Sequence, residues 1–146
     1  AVDTRGEFIV SYYFSMIKIS REVDYAIQLL LRLAKAKKEE YVGLKKFCTE
    51  SSISFLFLQK IARQLRQAGF IQAAKGPAGG YRLARDIESI SLKSLIEALD
   101  DHAGPTACLR GEFCVKERNC TLKPGMGIFH TKLNSLMEQT SIVDFV

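Results

Sequence analysis

Residues 53–85, ISFLFLQKIARQLRQAGFIQAAKGPAGGYRLAR, decide the fold. Leu58, Ile61, Ala62 and Leu65 recur at the spacing of one helical face, and Gly69 stands where such a helix would stop. FIQAA and YRLAR then read as two short strands around the turn KGPAGG, a hairpin of the size of a wing. A phosphate-cradling loop leads from a strand into a helix; this one leads into another strand, so a nucleotide loop is disfavoured. Upstream, LKKFCTES at 44–51 makes a short helix with Leu44 and Phe47 inward, broken by SSIS at 51–54. Two helices joined by a tight polar turn, the second of them basic, predict a helix-turn-helix.

Working outward, Ser20 can cap a helix whose Glu22 and Asp24 suit its positive end and whose lysines 35, 37 and 38 suit the other. Val23, Ile27, Leu30 and Ala34 form its apolar stripe. Downstream, Ser91 caps SLKSLIEALD, with Leu92, Leu95, Ile96 and Leu99 on one side. A last helix carries Ile128, Phe129, Leu133, Leu136 and Met137, and with no other element to cover that stripe it is expected to pack on a second subunit. The predicted fold is mainly α with a small β-hairpin: a winged helix-turn-helix domain over 16–100, a cysteine loop over 101–124, and a long C-terminal dimerisation helix with its tail over 125–146. Residues 1–15, AVDTRGEFIVSYYFS, show no clear period and precede Met16, so they are read as a leader or added segment outside the fold.

Charge narrows the function. The net +5 hides a block from Arg32 to Arg85 with twelve Lys or Arg against three acids, a local balance of +9, followed by five acids against one lysine between Asp86 and Asp101. Such a block is the footprint of a polyanion binder, with a merely solvated basic face as the alternative. No stretch approaches the roughly 20 apolar residues of a membrane span, and no apolar run follows a basic leader, which favours the cytoplasm.

That compartment bears on Cys108, Cys114 and Cys120 in CLRGEFCVKERNC, because clustered cysteines in a reducing cell bind metal or do redox chemistry more often than they form disulfides. Six-residue steps turn a helix by about 600°, and a strand would hold the outer two some 40 Å apart, so only a folded loop can gather all three. Gly104, Pro105, Gly111 and Asn119, then Pro124, Gly125 and Gly127, supply the loop. Metal or cluster ligation leads, ahead of reversible thiol chemistry and of idle cysteines. Cys48 reads as a buried small apolar residue.

The order SREVDYAIQLLLRLA, ISFLFLQKIARQLRQAGFI, KGPAGGYRLAR, three cysteines and a terminal helix resembles the Rrf-two family of bacterial winged-helix transcription regulators, which has IscR-type and NsrR-type members. The resemblance covers essentially everything from Met16 onward. It implies a homodimer on a double-stranded DNA operator, with recognition helices in successive major grooves and wings reaching the minor groove. It also implies a role that is not enzymatic: sensing a redox, nitric oxide or iron–sulfur signal through a cluster bound by three cysteines.

Carried over by residue, the resemblance assigns DNA contacts to Ser54, Phe57, Gln59, Lys60, Arg63, Lys75, Gly76, Gly79, Gly80 and Arg82. Ser54 can cap the recognition helix and donate to a phosphate or base edge, Gln59 can offer a bidentate amide to adenine, and Lys60 and Arg63 can meet phosphate or guanine. Phe55 and Phe57 divide between packing and thymine-methyl contact, with packing favoured. Lys75 resembles the cation sent into the minor groove, and Gly76, Gly79 and Gly80 permit the turn. At the metal site, IscR-type members place a histidine three positions after the last cysteine, where this chain has Lys123; His130 lies further on, in the terminal helix. Asp24 and Tyr25 instead resemble the NsrR-type pair, in which an aspartate of the partner subunit completes the three cysteines. A 4Fe–4S cluster is therefore expected ahead of 2Fe–2S, with Asp24 as a weak hard ligand beside soft thiolates, or else as an ordinary first-turn acid. The alternatives are a metal-free thiol-switch regulator and, from another class, an iron–sulfur electron-transfer protein, in which the wing and the basic helix would have no purpose.

Overall fold

The computed structural model describes residues 19–99 and 106–146. The expected leader, Met16, the acids Asp100 and Asp101, and Gly104 and Pro105 lie outside the described residues. Five helices and one hairpin follow in order: α1 (Arg21–Ala34), α2 (Leu44–Ser51), α3 (Phe55–Gln67), β1 (Ile71–Ala74), β2 (Gly80–Leu83), α4 (Leu92–Leu99) and α5 (Lys123–Gln139). Short 3-10 turns stand at Ile87–Ser89, Ala107–Arg110, Glu117–Asn119 and Ile142–Phe145.

Local chemistry sets the helix ends. The Ser20 hydroxyl accepts from the Val23 amide at 3.3 Å, and the Ser94 amide donates to the Ser91 hydroxyl at 3.2 Å, as the capping residues foretold. Ser54 is different: it occupies the N-cap of α3, but its side chain makes no capping bond. Gly69 takes a left-handed φ of 75° just past α3, the conformation that lets the chain turn into β1. α1 buries Val23, Ala26, Ile27, Leu29, Leu30 and Leu33, a wider stripe than expected, and leaves Ala34 exposed. The difference arises because α1 is packed by α3, α4 and β2 together rather than from one side.

β1 and β2 pair antiparallel, with Ile71 opposite Leu83 and Ala74 opposite Gly80. Val42 extends the pairing, exchanging backbone bonds of 2.8 and 2.9 Å with Tyr81. A side chain at Gly80 would place its Cβ 2.5 Å from the Val42 carbonyl oxygen, and φ there is 145°, so glycine is required twice over. Leu29, Leu30, Leu58, Ile61, Leu65, Ile90 and Leu95 fill the core, while Cys48 packs half-buried against it.

The chain end behaves in a way the sequence pattern did not show. α5 begins at Lys123, with Pro124 in its first turn where a missing amide costs nothing. After α5 the backbone returns to the body formed by α1–α4 and the hairpin: the Leu92 amide donates to the Thr140 carbonyl at 2.8 Å, and the Ile142 amide to that of Ile90 at 3.0 Å. Ser141 and Asp144 close a capping box around the last turn, and Ile142 is fully buried in the common core. α5 is thereby tied to the domain at its C-terminal end.

Candidate nucleic-acid interface and cysteine loop

α3 rests on α1, α2 and α4 through Leu58, Ile61, Ala62 and Leu65. The opposite stripe therefore faces outward, and it holds Leu56, Gln59, Lys60 and Arg63 at i, i+3, i+4 and i+7, all exposed. Ser54 is exposed at the head of this stripe with its hydroxyl not spent on the cap. Arg63, Arg66 and the α2 lysines 45 and 46 are exposed cations, and no ion pair engages them among the described residues.

Lys60 is already engaged: its Nζ donates to Glu22 Oε1 of α1 at 2.6 Å. Phe57 turns away from the outward stripe and meets Tyr25 edge-on, with ring centroids 5.7 Å apart at 86°, which gives it a packing role. In the wing, Lys75 is exposed at the end of β1, and Gly76, with φ of 104°, begins the turn. A Cβ on Gly79 would collide with the carbonyl of Ala74. Arg82 projects from β2, but its Nη1 donates to Glu39 Oε2 at 2.6 Å and its guanidinium lies 4.9 Å from the centre of the Tyr41 ring. The structure thus brings Ser54, Gln59, Arg63 and Lys75 forward as open side chains, whereas Lys60 and Arg82 are each held by a carboxylate. None of these cross-element partnerships was readable in the sequence, since 38 residues separate Glu22 from Lys60 and 43 separate Glu39 from Arg82.

The cysteines follow a different pattern. Cys108 sits in the 107–110 turn beside the Thr106 hydroxyl at 3.3 Å, Cys114 lies between the two turns, and Cys120 ends the 117–119 turn. All three are free thiols; Cys108 is exposed and the other two are partly so. Among the described residues, no three His, Cys, Asp or Glu side chains come together as a metal site. The described residues therefore do not bring the three thiols to one point. Their chemistry nonetheless fits an iron–sulfur cluster, which thiolates hold, and the two turns bury no side chain that would resist convergence. Asp24 is exposed in the first turn of α1, where Oδ1 accepts from Gln28 Nε2 at 3.1 Å. Lys123 pairs with Glu117 at 3.2 Å, and His130 shares a 2.9 Å contact with Asn134 one turn along α5.

α5 buries none of its residues, leaving Leu122 just before it and Ile128, Phe129 and Leu136 along it exposed. No helix of the described residues is long and apolar enough to cross a membrane.

Comparison with known proteins places this geometry. The Rrf2 family model, described as an iron-dependent transcriptional regulator, matches residues 19–146. The HTH-type transcriptional regulator NsrR of Halalkalibacterium halodurans is 29% identical over 135 residues, spanning 89% of this chain and 90% of the relative. The HTH-type transcriptional regulator IscR of Cereibacter sphaeroides is 38% identical over 87 residues, 58% of this chain and 56% of its own. In fold, a crystal structure of a Listeria innocua protein superposes with a TM-score of 0.75 at 22% identity, covering 91% of this chain and 88% of that one. The curated relatives are regulators and not enzymes. Because the family match runs from the residue before the α1 cap through the wing and the cysteine turns to the final residue, the chain belongs to the Rrf2 family of transcriptional regulators.

Proposed function

We propose that this chain is a homodimeric, cytoplasmic DNA-binding regulator that reads an operator with α3 and the wing and senses a redox, nitric oxide or iron–sulfur signal. The observation that carries the reading is the outward stripe of α3, open and cationic, beside a glycine-built hairpin that lifts Lys75 clear of the domain. Arg63 and Lys75 neutralise phosphates and fix register, Gln59 reads a base edge, and Ser54 donates to a phosphate. The exposed apolar stripe of α5 supports dimerisation, which sets two such units at the spacing of successive major grooves.

Cys108, Cys114 and Cys120, with Asp24 of the partner subunit, would hold the cluster, 4Fe–4S ahead of 2Fe–2S. A bound cluster would supply an iron that exchanges ligands with a small diatomic or an oxidant. The protein's part is to carry a change at Asp24 into DNA reading. The same first turn of α1 holds Glu22, which binds Lys60 of the recognition helix, and Tyr25, which packs on Phe57. Movement of that turn therefore alters the reading face.

Anaerobic purification followed by absorbance, iron and sulfide analysis tests the sensing arm. Ala replacement of any one of the three cysteines should abolish cluster retention, Cys48→Ala should preserve it, and Asp24→Ala should speed its decay. A colourless wild type with reversible thiol oxidation would move the assignment to a metal-free switch; an unchanged decay rate in Asp24→Ala would remove Asp24 from the ligand set.

A further inference from the structure

Leu56 is the second residue of α3 and is 76% exposed. A leucine that is not packed usually owes its exposure to a neighbourhood of no consequence, but this one lies in the reading stripe, one turn before Gln59 and two turns before Arg63. It accepts and donates no hydrogen bond, so it contributes nothing to holding phosphate. Its place at the head of the helix is where helix-turn-helix domains bring side chains to base edges. In the major groove the base pairs offer donors, acceptors and one apolar group, the C5 methyl of thymine.

We infer that Leu56 is a specificity-determining residue that selects thymine by contact with its C5 methyl. The inference rests on the DNA-reading role proposed for α3 and assigns the occupant of its apolar spot. Charge complementarity fixes that occupant as a duplex. Arg63 and Arg66 further along the same helix and lysines 45 and 46 of α2 are exposed cations, a charge that draws a polyanion and opposes docking of a second basic copy of the same face. Gln59 and Leu56 are then complementary readers, an amide for adenine and an apolar side chain for the thymine methyl, on steps one helical turn apart along α3.

The test uses the whole 146-residue chain, in the dimeric form proposed for it, and a duplex selected by the wild-type protein from a randomised library. Each thymine of that duplex is replaced in turn by deoxyuridine, which deletes the methyl and leaves base pairing intact. At one symmetry-related thymine pair the wild type should lose on the order of four-fold in affinity per half-site and about fifteen-fold for both. Leu56→Ala should move the thymine-to-uracil affinity ratio at that pair most of the way to one and leave the ratio at the other thymines unchanged. As Leu56 is exposed, its truncation should leave the melting temperature unchanged, which is checked beside the binding series. The inference is overturned if the wild type binds every uracil duplex as well as the parent, or if Leu56→Ala keeps the wild-type thymine-to-uracil ratio at every position. It is also overturned if the variant changes sedimentation and not base preference. Failure of the wild type to select any duplex would refute the DNA-reading role as well, separating that outcome from the others.

Discussion

Replacing Ile142 by Ala should destabilise the DNA-binding domain, although this residue stands four positions before Val146 and beyond the last long helix. The side chain is fully buried, and its backbone is tied to Ile90 by a 3.0 Å bond. Truncating a buried isoleucine to alanine costs about 2–5 kcal/mol from lost transfer energy and the cavity left behind. A chain end relaxes around a cavity more readily than a helix interior, so about 3 kcal/mol is the working value. For a chain of 146 residues that corresponds to a fall of about 10 °C in Tm. Val146, 83% exposed, provides the control, and its replacement by Ala should change stability by less than about 0.5 kcal/mol. Both variants would be compared with wild type by calorimetry at one protein concentration, because association shifts apparent stability. A Tm for Ile142→Ala within about 2 °C of wild type would refute the reasoning and detach the tail from the domain core.

Replacing Arg63 and Lys75 together by Ala should weaken operator binding and flatten its dependence on salt by roughly 0.9 in log–log slope per lost phosphate contact, read from mobility-shift titrations at several ionic strengths. Gln59→Ala should relax base preference in the same assay with little loss of non-specific affinity; unchanged preference would take Gln59 off the base edges. Leu136→Asp, on the exposed stripe of α5, should give monomers in sedimentation experiments because a carboxylate would be buried without a partner, and a variant that remains dimeric would place the interface elsewhere.

The sequence by itself determined the order and kind of the elements. Helical periodicity at Leu58, Ile61, Ala62 and Leu65, caps at Ser20 and Ser91, and the glycines of KGPAGG act through neighbours a few residues away, so each is legible where it stands. The outward stripe of α3 was legible for the same reason, because a helix that buries one face must expose the other. Tertiary structure alone decided which of the cations remain open. Lys60 meets Glu22 and Arg82 meets Glu39 across separations that no local pattern encodes, and Phe57 finds Tyr25 through the crossing of α1 and α3. It alone returned Ile142 to the core, since a single isoleucine in a short final turn carries no periodicity. The three cysteines mark the limit between the two. Their spacing demands a loop, and the loop is present as two short turns, but bringing three thiols to one point needs a ligand or a second subunit to offset the lost chain entropy, which local sequence does not supply.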